Sequence, residues 1–387
     1  MRIGIDGGCW SNRRGYGRFA RELIAAVIRR DTTNEYVLLL EPGGEDAFPV
    51  PEGLTIRRVA TSSPVAETAR ADGRRALSDL WRMARAAAEE RLDALFFPSV
   101  YSYFPPPPGM PAIVCFHDTI AERHPHLTFS SAKHALFWRV KVWAAALRAD
   151  IVVTVSEYSR RCLHEYFRLP LRRIRVVSEG ASAVFRKIET EPPLRRFVLY
   201  AGGISPNKNL GTLIAAYARL RSRRHGLQLV LVGDYESDRF KSCYAELRAQ
   251  IEAAGLSGEV AFAGYVPDEE LCRLYNTAAV FVMPSLDEGF GLPALEAMSC
   301  GAPVIVSSGS ALEEVVGDAG LVVAPHDVAG LAEAMDRVLG DPALAGSLSE
   351  RSLRRAKAFS WERAAEQFLE ALEAALARPR ARATATP

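Results

Sequence analysis

Short apolar runs rich in β-branched and aromatic residues alternate with longer stretches of helical period along almost the whole chain. That alternation confines the fold to repeated βα units around parallel sheets. Strands are predicted at 2–6, 36–40, 55–59, 94–97, 112–116, 151–155 and 174–177, with helices between them such as 16–29 and 131–149. Near 186–196 the text turns charged and proline-bearing, as linkers are. The alternation then restarts, with strands at 197–201, 227–232, 260–262, 280–283, 303–306 and 321–323 and helices such as 210–221 and 328–339. A chain of 387 residues exceeds one ordinary core, so two doubly wound α/β domains are expected, at 1–189 and 190–358. Beyond them Trp361, Ala365, Phe368, Leu369 and Leu372 recur at helix spacing, which predicts a core-facing helix within 359–377 and a flexible tail over 378–387.

Hydrophobic residues make up 49% and charged residues 24%, a composition that excludes a disordered or fibrous chain. No apolar run approaches the roughly 20 residues of a membrane-spanning helix. The N-terminus meets Asp6 and glycines too soon for a signal-peptide core, so a cytoplasmic protein is expected. Six cysteines lie too far apart for a zinc or redox motif and read as reduced, mostly buried thiols. His117, His124 and His126 lack a matching carboxylate pattern, and no metal site is expected. A net charge of +2 argues against a nucleic-acid binder. The charge is uneven, however: 28 basic against 21 acidic residues in 1–189, and 20 against 25 in the remainder. A basic first half fits either an anionic partner, such as lipid headgroups at the inner face of a membrane touched peripherally, or a plain solvated face.

The strongest local signal is Pro284-Ser-Leu-Asp-Glu-Gly-Phe-Gly-Leu-Pro-Ala-Leu-Glu-Ala-Met298, directly after a buried strand. Strand, glycine loop and a proline-started helix place bare backbone N–H groups and a positive dipole end at the sheet's carboxyl edge, where a phosphate is welcome. Glu288 precedes the glycines Gly289 and Gly291, and Glu296 lies a turn inside the helix, so both carboxylates are expected to face one pocket and bind paired sugar hydroxyls. Lys208, in the strand-to-helix loop Tyr200-Ala-Gly-Gly-Ile-Ser-Pro-Asn-Lys208, would set a point cation beside a diphosphate. Gly15-Tyr16-Gly17-Arg18-Phe19-Ala20 reads as a mobile loop with Arg18 near the site, or as a helix start with Arg18 solvated. It is also a literal G-x-G-x-x-A, the mark of a dinucleotide turn, but it stands too far past strand one for that reading to lead. His117-Asp118 emerges at a strand's carboxyl end, facing a ligand or tied to a backbone carbonyl. Ser156 is read as a helix N-cap.

Taken together these segments resemble the retaining, nucleotide-sugar-dependent glycosyltransferases of family 4, over nearly the whole chain. The family's Glu-x7-Glu motif is matched by Glu288 and Glu296. Gly264-Tyr265-Val266-Pro267 resembles its loop against the nucleotide base, and Phe359-Ser360-Trp361-Glu362 the start of its terminal helix. The resemblance implies the GT-B fold, two facing Rossmann-like doubly wound domains with a C-terminal crossover helix returning to the first. It implies that Glu288 touches donor sugar hydroxyls, Glu296 holds the ribose, Lys208 serves the phosphates, and His117 faces the reacting sugar. Gly15, Gly17, Arg18, Gly203, Tyr265, Val266, Gly289, Phe290, Gly291 and Leu292 would complete the donor site. Many relatives carry an arginine where this chain has Gly203 or Asn207. The implied activity is transfer of a mannose-, rhamnose- or glucose-type hexosyl group to a hydroxyl of a glycan or lipid-linked acceptor in surface polysaccharide assembly, with no cofactor and no metal. A sugar-nucleotide epimerase of the same architecture and a non-catalytic nucleotide-sugar-binding protein are the alternatives.

Overall fold

The computed structural model describes residues 1–12, 15–62, 76–129, 131–191, 196–221, 224–235 and 242–377. The expected tail at 378–387 and residues 192–195 of the expected linker lie outside the described residues. The chain divides into two units, one made of 1–179 and 361–387, the other of 180–360.

In the first unit the strands are β1 (Arg2–Asp6), β2 (Glu35–Leu40), β3 (Leu54–Arg58), β4 (Ala94–Phe97), β5 (Ala112–Cys115), β6 (Ile151–Thr154) and β7 (Ile174–Val176). They form an all-parallel sheet in the order β3-β2-β1-β4-β5-β6-β7. β4, β5 and β6 are buried on both faces, which is why they read as unbroken apolar runs rather than as alternation. The main helices of this unit are α1 (Gly15–Arg30), α2 (Leu77–Glu89), α3 (Ala132–Arg148) and α4 (Glu157–Phe167). The C-terminal helix Trp361–Leu376 also belongs here. It buries Trp361, Ala364, Ala365, Phe368, Ala371, Leu372 and Ala375, a stripe of 3.6-residue period. Phe368 packs on Phe96 at 4.5 Å and Trp361 on Phe19 at 6.0 Å. The Gln367 amide oxygen accepts from the Ser178 N–H and hydroxyl at 2.9 and 3.0 Å.

The second unit carries β8 (Phe197–Ala201), β9 (Gln228–Val232), β10 (Val260–Gly264), β11 (Val280–Met283), β12 (Val304–Ser307) and β13 (Gly320–Val323). Their order is β10-β9-β8-β11-β12-β13, again all parallel. Two helices of this unit matter below, Asp268–Thr277 and Leu292–Ser299. Residues 180–189, expected to end the first domain, pack with this unit instead. Phe185 is buried edge-on against Tyr275 at 5.8 Å, and the Ile188 N–H donates to Asn276 Oδ1 at 3.0 Å. Residues 186–189, the charged start of the expected linker, are therefore part of a strap laid on the second core, and the division between units falls after Glu179.

Each sheet runs outward in one direction from its first strand and then reverses, between β1 and β4 in one unit and between β8 and β11 in the other. Doubly wound sheets bind ligands outside the carboxyl ends of the strands at that reversal, because the two flanking loops diverge there and leave a crevice. Among the described residues, no helix is long and apolar enough to cross a membrane.

Candidate functional site

The loops after β8 and β11 meet at the reversal of the second sheet. After β8, Gly202 takes φ +148°, and a Cβ there would sit 2.7 Å from the Tyr200 hydroxyl, so only glycine is accommodated. The buried Tyr200 hydroxyl donates to the Gly203 carbonyl at 2.7 Å. Burial, reinforced by the nearby Glu288 and Cys243, raises the Tyr200 pKa well above the ordinary phenol value, so it remains a donor. Pro206–Lys208 then forms one 3-10 turn, closed by Asn209 at φ +54°. The Asn209 side-chain amide donates to the carbonyls of Pro284 at 3.0 Å and Pro325 at 2.6 Å, and the Leu286 N–H donates to the Asn207 carbonyl at 2.8 Å.

This cross-bracing brings Lys208 Nζ to 2.5 Å from Glu288 Oε1. The two side chains are only 18% and 10% exposed. Removing both charges from water is expensive, so such a pair adds little to stability, and its place at the ligand-binding edge points to chemistry instead. An ammonium has three donors, of which Glu288 needs one. Two residues past Gly289, Gly291 adopts φ +106°, with its Cβ position 2.3 Å from a Leu312 methyl. This opens the helix Leu292–Ser299 with its first N–H groups at the edge, and Pro293 near its start. Glu296 lies in that helix, buried, and accepts from the Tyr275 hydroxyl at 3.2 Å. Phe290 is buried against Phe359 at 5.6 Å, and Leu292 is buried beside it in sequence. Gly203 has open space: the nearest atom to a Cβ there is Ser205 Oγ at 3.7 Å. Exposed Tyr265 and half-buried Val266 follow β10, two strands from β8.

At the carboxyl edge of the first sheet, His117 follows β5. Its Nε2 donates to the Pro98 carbonyl at 3.0 Å, and its Nδ1 lies 3.7 Å from Glu179 Oε1. Phe19 meets the ring edge-on at 4.8 Å. Since a carbonyl and a carboxylate both only accept, the doubly protonated ring suits both neighbours. Burial alone opposes that charge, but the Cys115 sulfur and the Glu179 carboxylate outweigh it and hold the pKa well above the ordinary histidine value. Of the two readings of this segment, mobile loop or helix start, the structure has the second: Gly15, Gly17 and Arg18 form the first turn of α1. Gly17 is buried, and a Cβ there would lie 2.0 Å from the Asn12 carbonyl oxygen, so close packing is the reason for this glycine. Ser156 caps α4 through the Ser159 N–H at 3.0 Å. Tyr200, Asn209, Tyr275 and Glu179 escaped the sequence reading. Glu179 carried a usable signal, a titratable side chain just past a strand's carboxyl end, the same signal that singled out His117.

A group whose folded pKa is raised stabilises most below its unfolded value of about 6.5, and the gain is lost as pH climbs through the folded value. The melting-temperature advantage of the unaltered protein over His117→Gln is therefore expected to shrink by a few degrees between about pH 6 and pH 9, at about 1.4 kcal/mol per tenfold displacement of the proton equilibrium. An advantage that stays constant with pH would overturn the cationic assignment.

All six cysteines are free thiols, five of them buried. Among the described residues, no three His, Cys, Asp or Glu side chains converge to hold a metal ion.

Residues 13–183 match the family model described as Glycosyltransferase Family 4, and residues 182–355 match Glycosyl transferases group 1. The O-antigen chain mannosyltransferase B of Escherichia coli is 36% identical over 278 residues, covering 67% of this chain and 69% of that one. The chain belongs to glycosyltransferase family 4. The two family models meet at 182–183, close to the division between the units. Of the serotype-specific mannosyltransferase WbdA of Escherichia coli, 30% identical over 236 residues, this glycosyltransferase spans 28% of the length and 58% of its own. In fold it is similar to sucrose-phosphate synthase from Thermosynechococcus elongatus, with TM-score 0.76, 21% identity, and coverage of 96% of this chain and 98% of that one. It is similar also to Anabaena HepE in complex with UDP and glucose, with TM-score 0.72, 18% identity, and coverage of 96% and 99%. Two doubly wound parallel-sheet domains of the GT-B fold are thus established for this glycosyltransferase.

Proposed function

We propose that this glycosyltransferase moves a hexosyl group, of mannose type first and rhamnose or glucose type next, from a nucleoside diphosphate sugar to a hydroxyl of a glycan or lipid-linked acceptor. The transfer proceeds with retention at the anomeric carbon and without a metal, in surface polysaccharide assembly. The observation that carries the reading is the shielded Lys208–Glu288 pair at the reversal of the second sheet, beside the start of the helix Leu292–Ser299. Support for the sugar and the process comes from the mannosyltransferase relative named for O-antigen, and support for the nucleotide from HepE, whose structure contains UDP and glucose.

In this reading Lys208 and the N–H groups behind Gly291 hold the diphosphate, Glu288 accepts from sugar hydroxyls and Glu296 from the ribose. As the bond from the anomeric carbon to the diphosphate oxygen breaks, its electron pair stays on that oxygen, where Lys208 stabilises the charge. The same oxygen takes the acceptor hydroxyl's proton on the face it has just left, and the acceptor oxygen bonds the anomeric carbon. The carboxyl edge of the first sheet, with His117, is the acceptor side.

A thermal-shift screen against GDP, UDP, dTDP and ADP sugars tests the donor assignment. A matching donor at about 100 times its Kd stabilises by about 2.7 kcal/mol, a rise of several degrees. The rise is expected to vanish in Glu296→Ala. A protein whose melting is moved by none of these nucleotides would refute the assignment, and a requirement for Mg²⁺ in turnover would refute the metal-free scheme.

A further inference from the structure

Four of the large hydrophobic side chains that the fold leaves exposed stand on one helix, α3: Leu136 at 61%, Phe137 at 58%, Val140 at 63% and Leu147 at 64%. Their spacing places them on one stripe, with Ala144 and Lys133 on the same line. The opposite face of α3 is buried through Trp138, Val142, Ala145 and Ala146. A helix that is apolar on both faces is ordinarily enclosed, whereas these four side chains of α3 are more than half exposed. Its inner face is firmly seated: the Trp138 indole N–H donates to Glu122 at 2.7 Å, and Tyr101 lies 5.0 Å from the Trp138 ring. The turn Leu171–Arg173 lies against the end of α3, where Arg173 donates to the carbonyls of Ala146, Leu147 and Ala149. That turn exposes Leu171 and Arg172.

Charge selects the occupant of this face. α3 contains no acidic residue. Residues 131–175 hold ten Lys and Arg against three Asp and Glu, and that difference of seven equals the whole basic excess of residues 1–189. A second copy meeting the face about a twofold axis would oppose like charges. We infer that α3 and the turn Leu171–Arg173 form the face on which the protein docks to an anionic lipid bilayer, the apolar stripe entering the headgroup boundary while Lys133, Arg139 and Arg172 meet lipid phosphates. This locates the membrane contact on one rigid helix, and it does not depend on the donor assignment.

The test is flotation of the full chain with vesicles of phosphatidylcholine alone and with about one-third phosphatidylglycerol. The unaltered protein is expected to float with the anionic vesicles, to release at high salt, and to ignore the neutral ones. Leu136→Ser with Val140→Ser removes apolar contact, and Arg139→Glu with Arg172→Glu reverses two charges. Each double variant is expected to lose at least tenfold in partitioning, since each basic residue contributes roughly fivefold near the surface. All four positions are exposed, so the melting temperature and the nucleotide-sugar shift measured without vesicles are expected to stay unchanged. Failure of the unaltered protein to float with anionic vesicles overturns the inference, as does unchanged flotation of both variants. A dimer in solution that the serine variant converts to monomer overturns it in favour of self-association.

Discussion

Lys208→Ala is expected to lower kcat/KM for hexosyl transfer by roughly 10²- to 10³-fold, the usual loss when a group that stabilises developing negative charge is removed. The single variant also leaves Glu288 shielded and without its ammonium at 2.5 Å, which brings a stability loss of its own. The double variant Lys208→Ala/Glu288→Gln, read against Glu288→Gln alone, separates the two effects. If Lys208 acts on the departing diphosphate, the double variant regains melting temperature and stays inactive. If the lysine serves only to neutralise Glu288, activity returns with stability, and the proposed role of Lys208 is wrong. Steady-state kinetics alongside a melting curve for each variant decides between these outcomes.

Gly233→Ala is expected to destabilise the protein by at least ~3 kcal/mol, a fall in melting temperature of roughly 6–12 °C for a domain of this size. Gly233 follows β9, and an added Cβ would stand 1.9 Å from the Gly202 carbonyl oxygen. That oxygen is main chain and cannot swing aside like the end of a flexible side chain. The Gly202 N–H is bonded to the Val232 carbonyl at 3.0 Å and the Gly233 N–H to the Gly264 carbonyl at 2.9 Å, so relief requires moving three strand ends together. Gly346→Ala is the matched control. It lies exposed in the helix Pro342–Ala356 with nothing within 4 Å of the new methyl, and the substitution is expected to add about 0.5–1 kcal/mol through helix propensity. Equal melting temperatures for Gly233→Ala and the unaltered protein would show that the loops after β8 and β9 give way more easily than their bonding implies.

Much of the fold was legible in the amino-acid text because parallel strands buried on both faces appear as continuous apolar runs. β4 at 94–97 and β11 at 280–283 were legible to the residue, since each is four buried apolar positions closed by a proline, Pro98 and Pro284. The division between units was misplaced by ten residues because composition registers solvent exposure and not the partner a segment lies against. Ile188 and Phe185 bond to and pack on residues nearly ninety positions later, which no local pattern reveals. Lys208 and Glu288 were each visible as edge residues of a βα turn, but their direct pairing depends on Asn209 and the backbone of Leu286, found only once the strands are placed side by side. For the same reason Glu179 and Tyr275 were missed: one partners a residue 62 positions before it, the other a residue 21 positions after it. The start of α1 reads either as a mobile loop or as a helix start, and what decides for the helix, Gly17 lying flush on the Asn12 carbonyl, is visible only in the folded chain.

Asn209 fastens the ends of three neighbouring loops through its own amide and two proline carbonyls, and Leu286 completes the frame through main-chain atoms alone. A mouth held by backbone is indifferent to most of the side chains that project into it. Substitution at its open positions, Gly203 foremost, is therefore expected to leave the shape of the rim unchanged.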